Sequence, residues 1–403
     1  MSILDRLRRS SLARQFATLL GGRFAAAGVQ AISIYLLARW AELDDFGILS
    51  AALGLAITLQ AVGDAGATTY IVRETAARGI SRRVAYAELM SRLVMASVAA
   101  SWVAGSLVLA SIDGDRYLSL VPLAGWIALD RSSDIRSAIA RGLGDVRVGT
   151  MNVVSRRIVH LLLFITGFKL GLAAPWAYVL ALVAGSALVL ALMWRQLPSP
   201  PRVSIRRRSL CLAFSRCRPY WIHSTATQLR NADAAIVATL CGPVQAAYYG
   251  VGARLMTPLR MVPTTLATAL LPHLVKKRGT GADDVRFGLA AASALGVPYL
   301  MLILVAPSVV AHLGADFAGA TLPLQLMCTG LAGAAFISIF NTILQARNQA
   351  RRVAQISTIT MVLLLSLVAV GAILQGAIGA AAGFMLATFV QAAMVFYGAR
   401  KSG

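Results

Sequence analysis

From Val353 to Ala399 the chain carries no charged residue. A helix needs roughly 20 residues to cross the hydrocarbon core of a bilayer, so this run is too long for one span and too apolar for water. Gln375, Gly376 and Gly379 offer a turn inside it, which divides it into two spans. Similar blocks recur near 16–38, 46–70, 88–110, 117–140, 151–171, 173–194, 211–240, 245–272, 286–311 and 317–343. Together they predict an all-α membrane protein with about twelve transmembrane helices. Composition excludes a large soluble domain: 58% of the 403 residues are hydrophobic and 13% are charged, where soluble domains carry roughly 25% charge.

The net charge of +22 would point to nucleic acid in a soluble protein. Here the bases fall between the apolar blocks, which is the pattern of the positive-inside rule. With the amino terminus inside, the inner segments collect Arg6, Arg8, Arg9 and Arg14, then Arg73, Arg78, Arg82 and Arg83, then Arg141 and Arg147. They continue with Arg195, Arg202, Arg206, Arg207 and Arg208, then Lys276, Lys277, Arg278 and Arg286, then Arg347, Arg351 and Arg352, and end with Arg400 and Lys401. The outer segments hold Arg39, Arg116 and Lys169 beside Glu42, Asp44, Asp45, Asp113, Asp115 and Asp316. This alternation predicts a multi-pass protein of the inner (cytoplasmic) membrane with both termini cytoplasmic, membrane lipids as its surroundings and no nucleic-acid partner. The basic start leads into a first helix interrupted by Arg23, and no clear cleavage site ends that block, so the first helix is expected to be retained.

Two stretches repeat at an offset of roughly 200 residues. Tyr35 to Leu53 resembles Ala235 to Leu255, each placing an aromatic–glycine pair after a short loop, Phe46-Gly47 and Tyr249-Gly250. Ile139 to Val154 resembles Leu344 to Ile359, each a helix end, an Arg-containing turn and a helix start. The repeat predicts a six-helix bundle over 1–194, a basic cytoplasmic linker over 195–210 and a second six-helix bundle over 211–403. Because six is even, the halves run parallel, and parallel halves suit a transporter that opens alternately to the two sides.

No enzyme is expected. Cys211, Cys217, Cys241 and Cys328 form no pair of pairs and histidine is scarce, which leaves no metal site or disulfide framework. The loops hold no nucleophile–base arrangement, and there is no Walker motif.

Three stretches resemble the oligosaccharide-lipid flippases, often called Wzx-type, of the multidrug/oligosaccharidyl-lipid/polysaccharide exporter superfamily. They are Leu36 to Gly47, Gly63 to Ala76 with its Val-Arg-Glu end, and Arg230 to Leu255. The resemblance covers nearly the whole chain. It implies a MATE- or flippase-like fold and movement of an undecaprenyl-pyrophosphate-linked oligosaccharide, such as an O-antigen or exopolysaccharide repeat unit, from the inner to the outer leaflet. It also implies a polysaccharide polymerase and glycosyltransferases as partners. A multidrug or cation antiporter of the same superfamily, a peptidoglycan-precursor flippase, and a membrane scaffold or sugar-polymer assembly protein are the alternatives.

A charge inside a spanning helix is expensive and faces a wet cavity, a partner or a substrate. This rule selects Arg23, Arg230, Arg254 and Arg260 as cavity cations for a diphosphate, with snorkelling or structural pairing as the competing roles. Arg230 and Asp233 stand i,i+3, and His223 lies seven residues before Arg230. Asp130, Arg131 and Asp134 form a polar strip that cannot face lipid, with Asp130 and Asp134 at i,i+4 and Arg131 reaching Asp134 at i,i+3. With Asp64 they are candidates for H+ or Na+ coupling, or for an ion-pair network within the bundle; no other cofactor is expected. Trp40, Trp176 and Trp194 read as interface anchors. Trp126, one turn before Asp130, is the tryptophan placed to stack on a sugar ring.

Overall fold

A computed structural model describes residues 3–260, 263, 281–347 and 349–401. The elements are α1 (Ile3–Trp40), α2 (Leu43–Gly63), α3 (Ala67–Arg78), α4 (Arg82–Asp113), α5 (Leu123–Gly142), α6 (Val146–Lys169) and α7 (Ala174–Gln196). They continue with α8 (Arg207–Gln228), α9 (Asp233–Leu259), α10 (Gly281–Leu313), α11 (Thr321–Ala346) and α12 (Ala350–Lys401). Short 3-10 turns cover Asp115–Leu120, Leu229–Ala232 and Ala315–Ala320. The inner bases Lys276, Lys277 and Arg278, and the far end of the span expected over 245–272, lie outside the described residues.

The protein is an all-α multi-pass membrane protein. Among the described residues, eight helical stretches are long and apolar enough to cross a membrane. The sequence predicts about twelve spans, and the difference has physical causes. Charge disqualifies α5, with Asp130, Arg131, Asp134 and Arg136, and α8, with Arg207, Arg208, Arg216 and Arg218. The apolar part of α1, Phe24–Trp40, is short. Finally, α12 counts once although it is broken at Gln375 and Gly376, the latter at φ 58. A straight helix of its 52 residues would measure about 78 Å, more than twice the hydrocarbon thickness. Its arms instead fold back, with Gly371 against the Gly379 carbonyl and Gly383 against the Leu367 carbonyl.

Two expected helices are interrupted. The span predicted over 46–70 stops at Gly63, and α3 restarts at Ala67 after Gly66 at φ 75. A Cβ on Gly66 would strike the Cys217 carbonyl and come within 2.5 Å of the Trp221 amide. Both the backbone turn and the close passage of α8 therefore demand glycine there. The span predicted over 211–240 is cut by the turn Leu229–Ala232, and α9 is itself bent at Gly242 (φ 82, ψ 174).

The chain forms two compact units, one of Met1–Ser33 with Ala56–Gln228, the other of Ile34–Leu55 with Leu229–Gly403. In the first, Ile71, Val84, Ala87, Ile135, Ala138, Ile139 and Cys217 make a core among α3, α4, α5 and α8. In the second, Phe340, Ile343, Leu344, Val395 and Ala399 form the core. The rings of Phe340 and Phe396 stand 5.4 Å apart there.

The first half of α2 packs on α9 inside the second unit through small residues. A Cβ on Gly47 would strike the Pro243 carbonyl and approach the Ala247 amide to 3.0 Å, one on Gly250 would meet Ser50 Oγ at 2.7 Å, and one on Gly54 would meet Arg254 Nη2 at 2.7 Å. Lipid tails are as apolar as leucine, so helices in a membrane adhere by close backbone approach, which small residues permit. Phe46 and Tyr249, the aromatics of the repeated pair, are both fully buried beside this seam. Replacing Gly47 with alanine forces a backbone shift. It is expected to destabilise the protein by about 1–3 kcal/mol, read as a lowered melting temperature in detergent. Gly21→Ala, where an added Cβ meets nothing within 4 Å, is expected to leave it unchanged.

Candidate functional site

The first unit holds a cluster of ionised groups on α5 and its neighbours. Asp130, Arg131 and Asp134 fall on one strip of α5, as helical spacing dictates. Arg156 of α6 reaches across and donates to Asp130 Oδ1 at 2.5 Å and to Asp134 Oδ1 at 2.7 Å, and it also donates to the Asp130 carbonyl at 3.1 Å. Arg131 sits between two carboxylates, with Nη1 at 3.6 Å from both Asp64 Oδ1 and Asp134 Oδ2. Asp64 lies in the α2–α3 break and is 3% exposed. It accepts the Thr68 hydroxyl at 2.6 Å and the Thr68 amide at 3.3 Å, so it also caps the start of α3. Three carboxylates thus face two guanidiniums in this cluster.

A second group ties α4, α5 and α7 together. Glu88 binds Arg92 at 2.5 Å and Arg136 at 3.7 Å. Arg136, 1% exposed, lies 4.0 Å from the Trp194 ring centroid and donates to the Pro198 carbonyl at 3.4 Å. Trp194 is therefore held by cations on the protein, Arg92 being 5.3 Å from the same ring, and does more than anchor an interface. Asn152 of α6 joins α5 through Ser133 Oγ at 2.9 Å and Ser137 Oγ at 2.5 Å.

The second unit carries cations against one carboxylate. Arg254 is buried, and its guanidinium donates to the Ser50 carbonyl and, from Nε at 3.4 Å, to Ser50 Oγ. Gly54 leaves the room for it. Asp233 opens α9, where its carboxylate accepts the Ala234 amide at 2.7 Å and the Tyr249 hydroxyl at 2.8 Å. Arg230 occupies the 3-10 turn just before α9, so the i,i+3 helical face expected for Arg230 and Asp233 is replaced by a turn. The charges of Arg230, Asp233 and Arg260 still act on one another. The Arg260 guanidinium lies 4.8 Å from the Phe384 ring centroid.

The structure brings together Asp64, Asp130, Arg131 and Asp134 in one unit and Arg230, Asp233 and Arg260 in the other. Arg254 stands apart from the latter group, seated on α2. Trp126 is 4% exposed and packed within the first unit. The stacking role expected of it therefore requires that ring to become exposed. The side chains of Arg23 and His223 lie outside the described residues. Sequence reasoning missed Arg156, the residue that closes the α5 strip. Its signal was an arginine well inside the apolar block 151–171, beside Arg157. Glu88 with Arg136 was missed too, although Arg136 lies two residues from Asp134. Among the described residues no group of His, Cys, Asp or Glu could hold a metal ion.

Residues 12–278 match the model of a family described as polysaccharide biosynthesis protein. No curated protein matches the chain. Solved structures do. One is an inward-facing multidrug-resistance MATE family transporter of the MOP superfamily, with TM-score 0.71, 14% identity, and 96% of this chain and 97% of that one covered. Another is the lipid II flippase MurJ in an inward closed conformation, with TM-score 0.71, 12% identity, and 94% and 87% covered. A third is a MOP superfamily transporter from Pyrococcus furiosus, with TM-score 0.60, 14% identity, and 96% and 95% covered. At these identities the likeness establishes a shared fold.

Arg156→Ala leaves Asp130 and Asp134 without their shared partner. Breaking a buried pair from one side costs about 3–5 kcal/mol, so a large fall in melting temperature is expected. Adding Asp130→Asn and Asp134→Asn to Arg156→Ala is expected to recover part of the loss, a non-additivity that a thermal-unfolding mutant cycle measures.

Proposed function

The chain belongs to the polysaccharide biosynthesis protein family, and on that premise we propose that it is a flippase for a lipid-linked oligosaccharide. It carries an undecaprenyl-pyrophosphate-linked repeat unit from the inner to the outer leaflet of the cytoplasmic membrane by alternating access. In this reading twelve spans form two six-helix halves, 1–194 and 211–403, joined by the basic linker 195–210. Both termini are cytoplasmic, and the glycosyltransferases and polymerase of the polymer pathway act on either side of it. No bond is made or broken; the work is desolvation and electrostatics.

Beyond the family, the observation that supports this reading is the sign of the charge embedded in the second unit. Between Leu229 and Arg260 the sequence carries three arginines, Arg230, Arg254 and Arg260, and one carboxylate, Asp233, with Arg230 and Arg260 the two whose charges act together with that of Asp233. Guanidinium groups are planar forks suited to phosphate oxygens. The burial of Arg254 on Ser50 makes it a structural cation, so Arg230 and Arg260 are the residues proposed to meet the diphosphate. Arg23 remains a proposed third.

A second reading keeps the first unit in view. The Asp64, Asp130 and Asp134 cluster gathers three carboxylates around Arg131 and Arg156. Carboxylates so placed in a membrane protein suit a proton or Na+. Their placement supports ion coupling of the flippase, or, as the alternative, a cation antiporter of the same superfamily.

In cells lacking the chain, lipid-linked sugar is expected to accumulate in the cytoplasmic leaflet, as read by leaflet-resolved labelling. Normal traffic across the membrane would overturn the flippase reading. Arg260→Gln is expected to slow transport by about tenfold, the factor that roughly 1.4 kcal/mol of lost charge-assisted binding yields. Asp64→Asn is expected to flatten the dependence of transport on the proton or sodium gradient while substrate binding persists. Export of an organic cation, with sugar-lipid traffic untouched, would favour the antiporter.

A further inference from the structure

An apolar groove of about 350 Å³ runs between α4 and α8 in the first unit, lined by Met90, Leu93 and Val94 on one side and Leu210, Cys211 and Phe214 on the other. Leu93 and Phe214 are both more than a third exposed, so the groove is open along its length. Arg207, Cys211, Phe214 and Arg218 stand at i, i+4, i+7 and i+11 of α8, which places them on one stripe of the helix. Both arginines are exposed. The apolar wall is thus bracketed by a guanidinium at each end, about 16 Å apart along the axis.

That arrangement selects an occupant with a long apolar chain and an anionic head. A resident phospholipid keeps its phosphate at one level, and Arg207 would satisfy it. It gives no reason for a second exposed guanidinium about three turns further along the same stripe. A lipid whose anion moves along the helix while its tail stays in the groove uses both. Past Arg218 the same helix reaches Tyr220, which meets Arg73 at 2.5 Å, and Trp221, which donates to the Val62 carbonyl at 2.8 Å. Val62 is two residues before Asp64, so α8 leads from the groove to the ion-pair cluster.

We propose that the α4–α8 groove seats the polyisoprenoid tail of the lipid-linked substrate, with Arg207 and Arg218 as successive contacts for its diphosphate. The proposal rests on the flippase reading above and adds to it where the tail runs. Cys211 lies in the wall and is exposed, while Cys217 on the same helix is buried, so the protein carries its own reporter and its own reference.

The full chain in nanodiscs of zwitterionic phospholipid is alkylated with a membrane-permeant maleimide, and the rate at each cysteine is read by peptide mass spectrometry. Undecaprenyl diphosphate is expected to slow Cys211 severalfold, phosphatidylglycerol at the same mole fraction to slow it little, and the difference to vanish in Arg218→Gln and in Phe214→Ala. Melting temperature verifies that both variants fold. Equal slowing by both lipids means that the groove holds bulk lipid and overturns the proposal, as does no slowing by either. An unprotected Cys211 alongside cytoplasmic-leaflet accumulation in cells lacking the chain rejects the groove and leaves the flippase. Specific protection alongside normal sugar-lipid traffic keeps the tail site and rejects the transport reading.

Discussion

The first unit depends on Arg156 standing between Asp130 and Asp134. Removing an ion from water costs several kcal/mol even after relaxation, and only good geometry with further hydrogen bonds offsets it. Here one guanidinium reaches a carboxylate at 2.5 Å, another at 2.7 Å and a carbonyl at 3.1 Å. With its charge matched, α5 can be buried on its remaining faces, where Leu123, Ile127, Ile135 and Ile139 are all 0–1% exposed. A helix this polar survives in an apolar bundle because its strip is answered from α6 and from the α2–α3 break. The same requirement explains why α4, α5 and α7 share the Glu88, Arg136 and Trp194 group.

The two units answer embedded charge differently. In the first, Asp64, Asp130 and Asp134 are met by Arg131 and Arg156, and Glu88 by Arg92 and Arg136. In the second, guanidiniums outnumber the carboxylate and the complement is anionic. The residues that seal these groups are uncharged: Thr68 for Asp64, Tyr249 for Asp233 and, from another helix, Ser50 for Arg254.

Much of the fold was legible because lipid allows few solutions. Apolar blocks separated by bases specify helices, and the charge-free stretch with Gln375 and Gly376 marked its own turn. The i,i+3 and i,i+4 relations on α5 were legible for the same reason, since helix geometry fixes them. The breaks at Gly63–Gly66 and Leu229–Ala232 were not. At the first, glycine and alanine read equally well as close helix packing or as interruption, and what decides is the passage of α8 against Gly66, a contact between residues about 150 positions apart. Arg156 was hidden because an arginine in an apolar block carries two meanings, snorkelling and pairing, and sequence alone does not show its partner. The burial of Trp126 was not legible for a related reason: a large ring beside a polar strip fills space as readily as it opens to a ligand.

The turn at Gln375–Gly376 is completed by a distant residue. The amide of Ala377 donates to Gln245 Oε1 at 2.9 Å, and a Cβ on Gly376 would meet that same oxygen at 2.6 Å. Ala377 is buried, and a buried amide left bare at a helix break is costly. The last hairpin therefore finishes only on a surface that α9 has already supplied. Synthesis from the amino terminus delivers the parts in that order, and a circularly rearranged chain that presented α12 before α9 would hold an unmet donor at that turn until the missing helix arrived.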